Sequence, residues 1–249
     1  MQNRYVGDIG DYGKYGLLKF ICNSANLYLG INWYLVEPEE LGEEDNSDGK
    51  KIKYLSKPKD YRKYDPDLFD ELKNIMMSNT RTVYEVKKHH ILILQKQPIF
   101  YDKLLSYRGK KNIEARKTAR DLWLEESLQR LKECDIVFFD PDNGIKPLKT
   151  KEYRKKGIKY VFREEAEKYY DLGKSLIIYN HNSREPKKKY QERFNFIKDI
   201  IGHDNIPCLR FHNRDYIFVL QLEHRNKIEK ALSEFLETGW NECFRRLKL

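Results

Sequence analysis

The segment Asp135-Ile136-Val137-Phe138-Phe139-Asp140 constrains the fold more than any other. It is an almost unbroken apolar run between two aspartates, the pattern of a central parallel strand covered on both faces. Ser175-Leu176-Ile177-Ile178-Tyr179 reads the same way, and Gly30 to Val36 is a third run rich in β-formers. Helical patterns separate these runs. A helix is expected from near Lys14, with Leu17, Leu18, Ile21 and Ala25 on its buried face. Another opens at Asp65-Pro66-Asp67 and runs to about Met77, with Asp as N-cap and Pro in the first turn. Residues 112–133 read as a long helix with Ala119, Leu122, Leu128 and Leu131 on its apolar side. Helices are also expected over 163–171, 187–201 and Asn226 to Leu236.

Ile91 to Leu94 and Pro98 to Tyr101 are further strand candidates, and Arg210-Phe211-His212 with Tyr216 to Leu222 reads as a closing hairpin. Strands alternating with helices predict an α/β fold: a three-layer, mostly parallel sheet with a C-terminal hairpin and helix. A length of 249 residues, without repeats or low-complexity linkers, suits a single domain over 1–249.

Composition narrows the function. No apolar run approaches the ~20 residues needed to cross a bilayer, and no signal-peptide pattern follows Met1, so a soluble cytoplasmic protein is expected. Cys22, Cys134, Cys208 and Cys243 are widely spaced among apolar neighbours, which argues for buried hydrophobes rather than disulfides or zinc ligands. The net charge of +9 is concentrated in Arg108 to Lys111, Lys146 to Lys159 and Lys187 to Lys189. Such clusters suit nucleic acid, with a solvated lysine-rich surface as the bland reading.

Open α/β sheets bind ligands at the carboxyl ends of their strands. Asp140-Pro141-Asp142-Asn143-Gly144 follows the first buried run. Asn180-His181-Asn182-Ser183-Arg184 follows the second, and Val36 leads toward Asp48-Gly49-Lys50. Asp, Pro, Asn and Gly also suit a plain turn, but here an apolar strand delivers two carboxylates to the active edge. The opening Gly7-Asp8-Ile9-Gly10-Asp11-Tyr12-Gly13-Lys14 reads as a loop, because a glycine at every third position is costly in a helix. It matches neither Gly-x-Gly-x-x-Gly nor the phosphate-binding P-loop.

Two motifs fail on inspection. Pro66-Asp67 with Glu85-Val86-Lys87 has nuclease spacing, but the aspartate opens a helix rather than ending a strand. Asp140-Pro-Asp-Asn is close to the Asp-Pro-Pro-Tyr turn of amino-methyltransferases, yet lacks its aromatic, and no Gly-x-Gly follows the first sheet strand.

The string Asn3 to Leu18 resembles the opening of an uncharacterised bacterial protein family that also carries Asp140-Pro-Asp-Asn-Gly144, an Asn/Asp-Gly loop (here Asn46 to Lys50) and His-x-x-Arg (His181 and Arg184). In size and class the chain is similar to anti-phage DNA glycosylases. That resemblance implies a hydrolase excising a modified base from DNA, although the Gly-Gln-Asp-Pro-Tyr and His-Pro-Ser strings of uracil-type enzymes are absent. In this reading an Asp among Asp8, Asp11, Asp140 and Asp142 stabilises an oxocarbenium ion or activates water, with His181 assisting. Tyr12, Asp48, Asn143, Tyr179 and Asn180 hold the flipped base. Lys14, Lys50, Arg184, Lys187, Lys188 and Lys189 contact phosphate. DNA is the expected partner, and neither a cofactor nor a metal is expected. The alternatives are an S-adenosylmethionine-dependent nucleic-acid methyltransferase and a non-catalytic nucleic-acid-binding protein.

Overall fold

The structure is a computed structural model and describes residues 1–43, 51–78, 80–182 and 186–248. The first half contains α1 (Ile9–Ala25), β1 (Leu29–Asn32), α2 (Pro38–Leu41), α3 (Pro58–Tyr61), α4 (Pro66–Met77), α5 (Val83–Lys88), β2 (Ile99–Tyr101) and α6 (Ile113–Arg130). Then come β3 (Ile136–Phe139), β4 (Gly144–Ile145), β5 (Tyr160–Val161), α7 (Arg163–Asp171) and β6 (Ser175–His181). The chain continues through α8 (Lys187–Glu192), α9 (Asn195–Ile201), β7 (Pro207–Phe211), β8 (Arg214–Val219), α10 (Leu222–Phe235) and β9 (Phe244–Lys248).

Seven strands form the central sheet in the order β2-β1-β3-β6-β8-β7-β9. The pairs from β2 to β6 are parallel, β8 runs against both neighbours, and β9 runs against β7. β3 lies inside, pairing residue for residue with Leu29–Asn32 on one side and Ser175–Ile178 on the other. Its apolar run has no wet face to serve: all four of its residues are fully buried. Alternate side chains enter two cores. One packs beneath α1, α4 and α10 around Leu17, Phe69, Phe138 and Phe235; the other beneath α6, α7 and α9 around Trp123, Phe139, Tyr169 and Ile197.

Several elements differ from expectation. The opening segment is not a loop: α1 begins at Ile9, so Gly10 and Gly13 are helical. Ile91 to Leu94 forms no strand, although Ile91, Leu92 and Leu94 are buried. The run after Asn32 leaves the ladder, with Tyr34 in a left-handed conformation (φ 45°). Residues 187–201 split into α8 and α9, Leu122 is exposed, and the edge strand β9 had no reading. Among the described residues, no helix is long and apolar enough to cross a membrane.

The candidate active site

Strand order reverses between the parallel neighbours β1 and β3, with β2 on the far side of β1 and β6 on the far side of β3, which places a crevice beyond their carboxyl ends. Met1 sits there, its amino group donating to the carbonyls of Tyr34 (3.1 Å) and Asp140 (2.9 Å). Beside it lies a cleft of about 260 Å³, lined from below by Asp8, Asp11, Lys14, Asp140, Tyr179, Arg214 and Tyr216.

α1 supplies one wall. Asp8 is its N-cap, Oδ1 accepting from the backbone N–H of Gly10 (2.7 Å) and Asp11 (3.0 Å). The other oxygen, Oδ2, accepts from Arg214 Nη2 at 2.8 Å. A Cβ at Gly10 would meet Arg214 Nε at 2.2 Å, at Gly13 the Phe211 ring at 2.7 Å, and at Gly16 the Trp240 ring at 2.4 Å. The glycine stripe thus lets a helix lie flush against the β7–β8 hairpin and Trp240, which outweighs its cost in helix propensity.

One turn along, Asp11 and Lys14 share a helix face (i, i+3), and Asp140 arrives from the end of β3. Lys14 Nζ is 2.6 Å from Asp11 Oδ1 and 2.7 Å from Asp140 Oδ2, so one ammonium holds two carboxylates. All three residues are buried. Burial pushes the Asp11 carboxyl up to about 6 against the pull of Lys14, with Asp8 and Asp140 adding repulsion. For Lys14, burial opposes the charge, but Asp11 and Asp140 outweigh it and hold the amine protonated above its ordinary range.

Asp142 is taken up by the Met1 amine (2.9 Å) and by a hydrogen bond from Gln2 Nε2. In the same turn, Gly144 has φ 98°, and a Cβ there would meet Asn180 Oδ1 at 2.1 Å, so the motif ends on glycine for a steric reason. The small β4–β5 ribbon returns the basic segment 146–159 to the cleft, where Lys159 pairs with Glu43 at 2.9 Å. His181 stands at the mouth, exposed, with Nδ1 3.4 Å from Tyr179 Oη and Nε2 3.4 Å from Asn213 Nδ2.

Of the residues expected at the site, Asp8, Asp11, Asp140, Asp142, Asn143, Tyr179 and His181 come together around this cleft. Three are placed otherwise. Tyr12 faces the core, stacked on Tyr54 with its hydroxyl donating to the Tyr61 carbonyl (2.7 Å), because the segment carrying it is helix. Asn180 is fully buried, accepting from Ile145 N–H (2.8 Å) and donating to Tyr190 Oη (2.7 Å). Lys14 lies on the cleft floor between carboxylates and not on a phosphate-facing rim.

Lys188 and Lys189 are exposed on α8 without lining the cleft. Asp48, Lys50 and Arg184 lie outside the described residues, as does the Lys187 side chain. Met1, Tyr5, Lys51, Lys159, Asn213, Arg214 and Tyr216 line the site without having been anticipated. The connection expected at residues 213–215 falls instead at His212-Asn213, with Arg214 and Asp215 already in β8, and nothing local ties Arg214 to Asp8. Among the described residues, no group of three or more His, Cys, Asp or Glu is arranged to hold a metal ion. Comparison with family models, with curated proteins and with solved structures gives no match.

Proposed function

We propose that this cleft hydrolyses an N-glycosidic bond in DNA. The observation that carries the reading is the Asp11–Lys14–Asp140 group. Two buried carboxylates stand on one ammonium, and one of them exchanges its proton near neutral pH. Such a pair supplies separate roles to a single step. Asp140, fixed at the end of the central strand, stabilises positive charge at the anomeric carbon as the C–N bond breaks. The base departs with the bonding electron pair and takes up a proton, for which Asp11 and, at the mouth, His181 are the nearest candidates. Water adds to the sugar carbon and gives its proton to a carboxylate, so atoms and charge balance.

The size of the cleft favours a compact substrate. At about 260 Å³ it falls below the ~300–1,000 Å³ of pockets that enclose drug-sized ligands, and suits one extruded nucleotide unit. Tyr5 and Tyr179 offer aromatic walls. The exposed Arg108, Lys110, Lys111, Lys149, Lys151, Arg154, Lys155 and Lys156 suit a phosphate track, and the last five belong to the segment that β4 and β5 bring to the rim. The methyltransferase alternative has less support, because Met1 fills the switch point between β1 and β3 where an α/β sheet would seat a nucleotide-like cofactor.

The test is single-turnover base release from modified and unmodified duplexes. Asp140→Asn and Asp11→Asn keep shape and remove charge, and each should slow release by ~10²–10⁴-fold with folding retained. Wild-type rates in both folded variants would remove this cleft as the reaction site.

A further inference from the structure

The lysines and the arginine that line the cleft are not used alike. Lys14 is held by Asp11 and Asp140, Arg214 by Asp8 at 2.8 Å, and Lys159 by Glu43 at 2.9 Å. Lys51 differs. It lines the same cleft, is exposed, and among the described residues makes no ion pair. Its backbone is nevertheless fixed, because its carbonyl accepts from the N–H of Ile9, the first residue of α1, at 3.0 Å.

Lys51 also stands near the turn between β7 and β8. His212, in that turn with φ 54°, has its imidazole held below the usual range by partial desolvation and then by the positive charges of Arg214 and Lys51. Two cations from separate segments are therefore close enough to one ring to act on it. Beside them, Arg214 Nη1 donates to Asn213 Oδ1 at 3.3 Å, and Asn213 Nδ2 lies 3.4 Å from His181 Nε2 at the mouth. The cleft is layered in charge as a result. Its floor carries Asp11 and Asp140 on one ammonium, whereas this corner carries Lys51 and Arg214 against Asp8 alone. A floor of that kind suits a carbon gaining positive charge, and the corner suits an anion on the same molecule.

We infer that Lys51, with Arg214 beside it, binds the phosphate group attached to the substrate's sugar. The sugar rests on the function proposed above; the anion and its place rest on the layout of charge. A phosphate held there is remote from the bond that breaks, so its binding energy goes into placing the anomeric carbon over Asp140.

Such a phosphate can come from the DNA backbone or from a free sugar phosphate, and the probes separate the two. One is a duplex carrying a single tetrahydrofuran residue, which has no base. The other is 2-deoxyribose 5-phosphate, with 2-deoxyribose as its uncharged control. Lys51→Met removes the charge of an exposed side chain, so the melting temperature should hold. We expect it to bind the tetrahydrofuran duplex roughly 5- to 10-fold more weakly than wild type, with a salt slope shallower by about one. An uncharged methylphosphonate on one side of the tetrahydrofuran should weaken wild type by a similar factor and Lys51→Met hardly at all. Lys51→Arg keeps the charge and should bind as wild type does. Equal losses in wild type and Lys51→Met on both sides of the tetrahydrofuran would overturn the inference. So would Lys51→Arg binding as weakly as Lys51→Met, or wild type binding neither phosphate probe. Lys51-dependent binding of 2-deoxyribose 5-phosphate but not of the duplex keeps the phosphate site and removes DNA as the substrate. Base release from DNA is assayed in parallel, and release with no Lys51-dependent binding leaves the hydrolase standing without this contact.

Discussion

Two groups of buried charge lie on opposite faces of the sheet, and they differ in how completely they are closed. On the α6–α7 face, Arg120 donates from Nε to Glu165 Oε1 (2.6 Å), and from Nη2 to Glu165 Oε2 (3.0 Å) and the Tyr160 carbonyl (2.6 Å). Glu165 in turn accepts from Tyr34 Oη (3.2 Å) and Phe162 N–H (2.9 Å), and the guanidinium lies 3.6 Å from the Phe162 ring centre. One cation meets one anion, and each is surrounded by partners. On the α1 face, one ammonium faces two carboxylates, a third carboxylate sits a turn away, and a cleft opens over them. Closure gives a staple between α6 and the first turn of α7. Incomplete closure leaves a carboxyl that trades its proton near neutral pH. The cleft opens over the second group, where β3 ends on Asp140 and β6 ends on His181.

The comparison breaks most visibly if one ion of the closed pair is removed. Arg120→Met strands Glu165 without its cation and should cost about 3–5 kcal/mol in urea unfolding. Combining Arg120→Met with Glu165→Leu should recover most of that loss, because the charge left uncompensated is gone. The double variant should keep wild-type base release if it folds. A double variant no more stable than the single would mean the pair does more than satisfy itself.

The open group carries a pH signature. Asp11 ionises near 3.8 in an unfolded chain and near 6 in the fold, so the native state holds this proton more tightly. Its stabilising contribution is complete below pH 3.8 and is lost as pH rises through about 6. Against Asp11→Asn, wild-type unfolding free energy should fall by about 1.4 kcal/mol for each pH unit inside that window. If Asp11 delivers the proton, base release should also fall above pH 6 by a limb that the variant lacks. Parallel stability profiles for the two proteins would contradict the assignment.

What the sequence could disclose follows the same division. β3, β6 and the helix capped by Asp65 were legible because apolar runs and caps are local signals; Asp65 Oδ1 does accept from Leu68 N–H at 3.1 Å. Asp140 and His181 were legible as positions, since an acid or imidazole ending a buried strand must reach the active edge. α1 was misread because its glycines make sense only against Arg214, Phe211 and Trp240, nearly the whole chain away. Tyr12 went wrong with it. Arg214 and Tyr216 were invisible as site residues, since the antiparallel return of β8 beside β6 brings them to the cleft. Lys14 was legible as a charge but not as a bridge, because its second carboxylate comes from another strand.

The smallest expected effect tests whether the open group depends on that glycine stripe. Gly10→Ala adds a methyl group 2.2 Å from Arg214 Nε, so the guanidinium must shift from Asp8 Oδ2. Crowding of this kind costs roughly 1–3 kcal/mol, while alanine returns up to ~1 kcal/mol of helix propensity. A net loss of up to about 2 kcal/mol is expected. Arg214→Ala opens the space, so Gly10→Ala on that background should be neutral or stabilising by up to ~1 kcal/mol, a coupling read from a double-mutant cycle. Gly173→Ala does not serve as a control, since Gly173 has φ 77° and is strained by any side chain. If Gly10→Ala costs the same with and without Arg214, the close approach is not what selects glycine there. The open group would then owe its geometry to Asp8 capping alone.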